Sequence, residues 1–190
     1  MTSNRNAATL TVADSGEVII HSWNPTKGIL VDETFLQGKI NHATFHSAFI
    51  HQTEAYIVET LETGIKMQPY DLKSGKESRP AATLSLEMES IRNKKNSCRA
   101  TESAFVCLSL HNGIIYYSPL PVEMPAKMNA IPLSSLDVLD SGIVEDFYNV
   151  DNLDSVALKL NSKSGHKDTA SLLLLSFKNG QLSGSKSLKR

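Results

Sequence analysis

Hydrophobic and polar positions along this chain fall into short strand-like runs, each broken by a small polar turn, and helical periodicity is scarce. Glu17-Val18-Ile19-Ile20-His21-Ser22-Trp23 is rich in β-branched residues and ends on the only tryptophan. Ala55-Tyr56-Ile57-Val58-Glu59 and Ile65-Lys66-Met67-Gln68-Pro69-Tyr70 flank Gly64, and Ala104 to Leu110 and Ile114 to Tyr117 flank Gly113. Ser155 to Leu160 and Ala170 to Phe177 flank Gly165 in the same way. Two textures stand out. Val156, Leu158 and Leu160 alternate with smaller or polar neighbours, as in a strand covered on one face. The runs 104–110 and 172–177 are apolar throughout, which predicts middle strands covered on both faces.

The turns between these runs recur. Gly16, Gly64, Gly113 and Gly165 lie at intervals of about 50 residues, each after a short polar lead-in, where a glycine supplies the positive φ of a tight hairpin. A second series follows each of three of them: Asn24 to Gly28, Asp71 to Gly75 and Lys178 to Gly180. The third unit has Pro119, Pro121 and Pro125 in that place, and with Pro132 these predict an irregular connector or an edge strand. Such a repeating strand–turn unit is the signature of propeller blades. The expected fold is all-β: a partial β-propeller of about four blades, each a four-stranded antiparallel sheet, with few or no helices. The blades are placed near 7–36, 40–87, 88–135 and 138–190, with no second domain. Leu133, Leu136 and Leu139 after Pro132 permit one or two helical turns, and a loop fits equally. The tail from Ser183 to Arg190 reads either as a frayed end or as the start of a strand.

No blade can bury both its faces alone, so the first and last units are each expected to leave one face bare and to make the isolated chain marginally soluble. Four units also suggest part of a longer propeller, since rings usually carry roughly four to eight blades. Recovering the full reading frame around Met1 would test that directly, because a finished 190-residue product argues against it.

Composition narrows the function. A net charge of −1 with 41% hydrophobic residues is ordinary for a soluble globular chain. It argues against nucleic acid as the main partner, which needs a concentrated basic face. The basic stretch Arg92 to Arg99 lacks interleaved aromatics and reads as a solvated loop. No secretory signal follows Met1, and the longest aliphatic run, Leu172 to Leu175, falls far short of the ~20 residues that span a bilayer. Cys98 and Cys107 carry no metal pattern; they read as two buried or semi-buried thiols or, in an oxidising compartment, as the ends of a short closed loop.

Catalytic signatures are missing: there is no Gly-x-Ser-x-Gly elbow, His-Glu-x-x-His, phosphate loop or Gly-x-Gly-x-x-Gly. His42, His46 and His51 lie close in sequence, but on an extended strand 42 and 46 share a face and 51 points away, so they read as solvated or packing residues. His21 beside Trp23 reads as structural. Asp137/Asp140 and Glu145/Asp146 read as surface carboxylates, and Trp23 and Tyr116-Tyr117 as packing residues more than as an interface. The expectation is therefore no enzyme, with no catalytic, cofactor-binding or metal-binding residues.

The stretch Thr11 to Trp23 resembles a blade near the start of subunit 1 of the endoplasmic-reticulum membrane protein complex. Tyr70 to Glu77, Ala104-Phe105-Val106-Cys107 and Ile131 to Asp137 are similar to further stretches of that family, in the same order and with similar gaps. The resemblance covers most of residues 10–180. It implies a lumenal, quinoprotein-like propeller without catalytic residues or cofactor, acting as a scaffold within a complex that inserts tail-anchored and multipass transmembrane segments into the membrane. Its partners would be the other subunits of that complex, and its location the lumenal side of the endoplasmic-reticulum membrane. The family carries a cysteine pair near the positions of Cys98 and Cys107, which implies a lumenal disulfide between them. This chain departs from the pattern in lacking a signal peptide, a membrane span, the family's carboxy-terminal domain and an acceptor Asn-x-Ser/Thr, Asn24 being followed by Pro25. Two other readings compete: a cytosolic interaction propeller of the WD or kelch sort, and a quinoprotein dehydrogenase. The latter needs a metal and stacked aromatics on the ring axis, for which no constellation is visible.

Overall fold

The computed structural model describes residues 7–24, 26–86, 98–109, 113–136, 143–150, 154–161 and 170–189. The Gly165 turn, most of the Arg92 to Arg99 stretch, Leu139 and the Asp137/Asp140 pair lie outside them. Among the described residues there are fifteen strands and one short 3-10 turn at Leu133–Ser135, and the fold is all-β. β1 (Ala7–Val12), β2 (Val18–Asn24) and β3 (Ile29–Phe35) form the first sheet in that order. β4 (Phe45–His51), β5 (Glu54–Thr60), β6 (Gly64–Asp71) and β7 (Ala82–Ser85) form the second. β8 (Cys98–Ala100), β9 (Ala104–Ser109), β10 (Ile114–Pro119) and β11 (Asn129–Pro132) form the third. β12 (Ile143–Asn149), β13 (Ser155–Asn161), β14 (Ala170–Lys178) and β15 (Gln181–Lys189) form the fourth. Each is an antiparallel up-and-down meander with sequence neighbours paired, the sheet of a propeller blade. β15 takes up the carboxy-terminal tail as a strand.

The first sheet departs from the expected four strands. Gly16 joins β1 to β2 where Gly64 joins β5 to β6 and Gly113 joins β9 to β10. β1 therefore matches the second strand of the other sheets, and the position of β4, β8 and β12 has no counterpart among the described residues.

The chain divides into two compact units, one of Met1–Leu61 with Ile65–Thr83 and the other of Glu62–Gly64 with Leu84–Arg190. In the first unit Val18, Ile20 and Leu36 pack with Ala55 and Ile57, and Leu10, Val12, Phe45 and Tyr70 close around them. In the second unit Val106, Leu108 and Tyr117 meet Phe147, Val156, Leu158, Leu160, Leu173, Leu175 and Phe177. Burying one such aliphatic or aromatic side chain contributes about 1.5–3 kcal/mol, so the facing strands hold each unit together.

Covalent and backbone chemistry explain how close the sheets come. The second glycine series forms the turns from third to fourth strand. At Gly75 (φ 67°) a Cβ would lie 2.1 Å from the Phe35 carbonyl oxygen, and the Gln37 amide donates to the Gly75 carbonyl at 2.8 Å. At Gly180 (φ 74°) a Cβ would lie 2.4 Å from Pro119 Cβ. The turn of one sheet thus rests on a strand end of the sheet before it. Gly28 (φ 62°) holds the same place in the first sheet, with nothing within 4 Å. Gly64 corrects the sequence reading: it opens β6 without a positive φ, and is glycine because a Cβ would lie 2.1 Å from the Leu84 carbonyl oxygen.

These distances separate two costs. Gly28→Ala meets only the positive φ, roughly 1–2 kcal/mol, whereas Gly75→Ala adds a collision with backbone. Denaturant unfolding of both variants is expected to show the larger loss for Gly75→Ala; equal losses would mean that the turn does not rest on Phe35.

Candidate interaction surfaces

The outward face of the first sheet is built by period-two alternation. Thr9, His21 and Glu33 lie in register across β1, β2 and β3, as do Thr11, Ile19 and Phe35, while Trp23 pairs with Leu30 across a bulge. Their neighbours Val18 and Ile20 point the other way into the core. One ring nitrogen of His21 lies 2.9 Å from Glu33 Oε1 and the other 3.0 Å from Thr11 Oγ1. Trp23 Nε1 donates to Thr9 Oγ1 at 3.0 Å. Around this polar centre the face is apolar and open: Phe35 is 58% exposed and Leu30 40%.

Carboxylate, imidazole and hydroxyl stand here in the order used for nucleophilic catalysis. The arrangement lies on a sheet face whose hydrogen bonds are solvent-exposed. Its chemistry is that of a satisfied polar ladder. The Glu33 and Thr11 partners of His21 went unseen in the sequence, because they sit twelve and ten residues away and meet only through strand register.

The outward face of the fourth sheet carries Tyr148, Ala157, Leu172, Leu174, Lys186 and Leu188, with Leu172 directly opposite Leu188 and Leu174 opposite Lys186. Leu172 is 42% exposed and Leu188 45%. The run 172–177 is therefore buried on one face, through Leu173, Leu175 and Phe177, and not on two as its composition suggests. β9 does have both faces buried over its whole length.

Polar anchors lie inside the units. Glu54 accepts from Tyr56 at 2.8 Å, from Ser78 at 2.5 Å and from Arg79 Nη2 at 2.6 Å, and Arg79 Nη2 also reaches the Tyr56 hydroxyl. Phe49 stacks on Tyr56 with ring centres 4.9 Å apart, and the Arg79 carbonyl accepts from Gln68 at 3.0 Å. Burial raises the Glu54 carboxyl, but hydrogen bonds from Ser78 and Tyr56 together with the Arg79 charge outweigh it and hold the group below its ordinary range. Burial and then the Glu54 carboxylate push the Tyr56 phenol up. In the other unit Asp154 clasps the β8–β9 turn: Oδ1 accepts from Thr101 Oγ1 at 2.6 Å and from the Ser103 amide at 3.0 Å, and Oδ2 accepts from the Ser103 hydroxyl. Ser103 Oγ accepts in turn from the Gly180 amide at 2.8 Å.

The structure scatters the remaining sequence candidates. His42 lies in the turn before β4, while His46 and His51 are buried within it and a bulge falls between Phe45 and Ser47, so one simple alternation does not relate the three. His46 bonds Ser47 Oγ at 3.0 Å and His51 meets the edge of Tyr56. Among the described residues no three of His, Cys, Asp and Glu form a metal-holding group. Tyr117 is buried against Phe177. Arg99 extends over the Phe147 ring. The backbones of Glu145 and Asp146 lie in β12. Cys98 and Cys107 stand opposite one another across β8 and β9, with Cα atoms 4.1 Å apart and the sulfurs bonded.

No protein-family model matches the chain, and no curated protein does. Among solved structures, Hsv2 of Kluyveromyces marxianus is 12% identical, with a TM-score of 0.44 over 94% of this chain and 47% of its own length. Hsv2 of Kluyveromyces lactis, solved with its complete loop 6CD, is 16% identical, with a TM-score of 0.47 over 95% of this chain and 47% of its own. The chain thus spans about half the length of each.

The Glu54 anchor has a pH signature. A carboxyl depressed in the folded state contributes stability above its unfolded value, lost as pH falls through the folded one. Stability is expected to drop on acidification below about pH 4.3, and Glu54→Gln to flatten that part of the profile while lowering neutral-pH stability by roughly 1–3 kcal/mol. Denaturant midpoints measured from pH 3 to 7 check this, and an unchanged acid limb in Glu54→Gln would contradict it.

Proposed function

We propose that this chain is a non-catalytic interaction scaffold whose working parts are sheet faces and turns, acting on the lumenal side of the endoplasmic-reticulum membrane within the complex that inserts transmembrane segments there. The observation that carries the scaffold reading is the outward face of the first sheet, where exposed apolar side chains surround a polar centre. Exposed faces of this kind mark contact with other protein surfaces. The finer assignment is supported by the ordered likeness of Thr11 to Trp23, Tyr70 to Glu77 and Ile131 to Asp137 to subunit 1 of that complex. The bond between Cys98 and Cys107 supports an oxidising compartment. In this reading the partners are other subunits of the complex, and the chain's contribution is to hold them in place.

The same meanders suit a cytosolic interaction propeller of the WD or kelch sort, and the thiol chemistry separates the two. Both cysteines are buried, so a reduced pair would persist in the cytosol and an oxidised one in the lumen. Cells expressing the endogenous protein, lysed in N-ethylmaleimide, are expected to yield a peptide pair linked through Cys98 and Cys107, and affinity capture is expected to recover subunits of the insertion complex. Alkylated thiols and a capture free of those subunits would transfer the chain to the cytosolic reading.

A further inference from the structure

We propose that Asn179–Gly180 is a deamidation site, held unreactive while the Gly180 amide is bonded to Ser103 and released when that bond opens. The proposal stands independently of the partners and compartment assigned above.

An asparagine followed by glycine is the pair in which this chemistry is least hindered, because no Cβ shields the next backbone nitrogen. The Gly180 nitrogen, having lost its proton to water, attacks Asn179 Cγ. The new N–Cγ bond closes a five-membered succinimide, the Cγ–Nδ2 bond breaks, and Nδ2 takes up a proton and leaves as ammonia. Water then opens the ring, its hydroxyl going to a carbonyl carbon and its proton to the ring nitrogen. Opening at Cγ leaves aspartate. Opening at the main-chain carbonyl leaves isoaspartate, with the backbone routed through Cγ and one carbon longer. In sum, water replaces ammonia and nothing is oxidised or reduced.

The structure presents the pair and restrains it at once. Asn179 is exposed and Gly180 buried in the two-residue turn between β14 and β15, where Lys178 pairs with Gln181. Both turn residues are left-handed, with φ of 53° and 74°, as this kind of hairpin requires. The Gly180 amide donates to Ser103 Oγ at 2.8 Å, and that hydroxyl is itself fixed by donating to Asp154 Oδ2. Gly180 also lies so near Pro119 that a Cβ would stand 2.4 Å from Pro119 Cβ. The nitrogen that must become the nucleophile is therefore engaged as a donor, and the peptide plane that must turn toward Cγ is hemmed in.

The corresponding turns of the first and second sheets place Lys27 and Ser74 before their glycines, so neither carries the reactive side-chain amide. In the fourth sheet the product would not fit where the asparagine does. Isoaspartate adds a backbone atom to a two-residue turn set against Pro119, and the paired ends of β14 and β15 leave no slack to absorb it. Deamidation here is thus an irreversible mark that accumulates in proportion to how often the Ser103 contact opens.

The full 190-residue chain, folded or in guanidinium chloride, is incubated at neutral pH, and the peptide carrying Asn179 is followed by mass spectrometry. A group that reacts only from an opened state is slowed by the rarity of that state, so the folded chain is expected to deamidate roughly tenfold or more slowly. Equal rates would overturn the proposal. Ser103→Ala, shown to fold by circular dichroism, is expected to deamidate several-fold faster than the parent at Asn179 and no faster at Asn112–Gly113, the other Asn-Gly pair of the sequence. An unchanged rate at Asn179 would contradict it, and so would acceleration shared equally by both pairs. A slower rate would also contradict it, by marking Asp154 and Ser103 as a proton relay that assists the attack. Amide hydrogen exchange on the parent needs no variant: a Gly180 amide that exchanges as fast as in the denatured chain would sink the proposal even if Ser103→Ala does not fold.

Discussion

Face-to-face burial of one antiparallel meander on the next is the interaction on which the rest of this structure depends. A meander whose central strands are apolar cannot remove them from water by itself, since hydrogen bonding along the ladder satisfies the backbone and leaves both faces of side chains to be covered. The second strand shows the dependence most directly. β9 is buried from Ala104 to Ser109, whereas β13 in the fourth sheet buries Val156, Leu158 and Leu160 and leaves the alternate positions more open. Local sequence makes each strand, and the neighbouring sheet decides which of its faces is core.

Burial has no preferred orientation, so a second class of contact must set how two meanders meet. The turns do this. Gly75 and Gly180 bring backbone against the adjacent sheet at distances that no side chain would allow. Asp154 joins two turns by accepting three hydrogen bonds from Thr101 and Ser103, a carboxylate satisfied almost wholly by short polar neighbours. The Glu54–Tyr56–Arg79 group does comparable work within the second sheet, tying β5 to the segment between β6 and β7 more than twenty positions later. A second-strand start recurs as the place for such bonds: the Thr53, Ser103 and Asp154 carbonyls accept from Leu72, Leu120 and Phe177 respectively. Repetition of the fold is therefore repetition of a fastening as well as of strands.

The strands and the repeat were legible because both are local: β-branched runs and glycine turns act over a few residues. Gly16, Gly75 and Gly180 showed themselves through turn chemistry, yet the close approaches of Gly75 and Gly180 to a neighbouring sheet had no local sign. Gly64 was misread for the same reason, since a glycine required by a neighbour's carbonyl looks like one required by its own φ. Long-range register hid the His21–Glu33–Thr11 ladder and the Asp154 clasp, whose partners are ten to more than fifty residues apart. The His42, His46 and His51 alternation failed because a strand boundary and a bulge intervene. The second face of 172–177 was overcalled because an apolar run records what a strand tolerates, while exposure depends on what packs beside it.

The polar centre of the first sheet makes its outward face chemically uneven. A purely aliphatic face accepts any sheet at any offset, because a slide along the strands exchanges one apolar contact for another. Glu33 breaks that degeneracy. Its hydrogen bond to His21 leaves lone pairs and charge that favour a cation and disfavour a carboxylate or a bare aliphatic surface at that position. A slip of one residue along the incoming strand turns the opposing side chains to the other side, and a slip of two displaces any cation by nearly 7 Å. The polar centre of an otherwise apolar face thus restricts which surface and which register can cover it without leaving a charge unpaired.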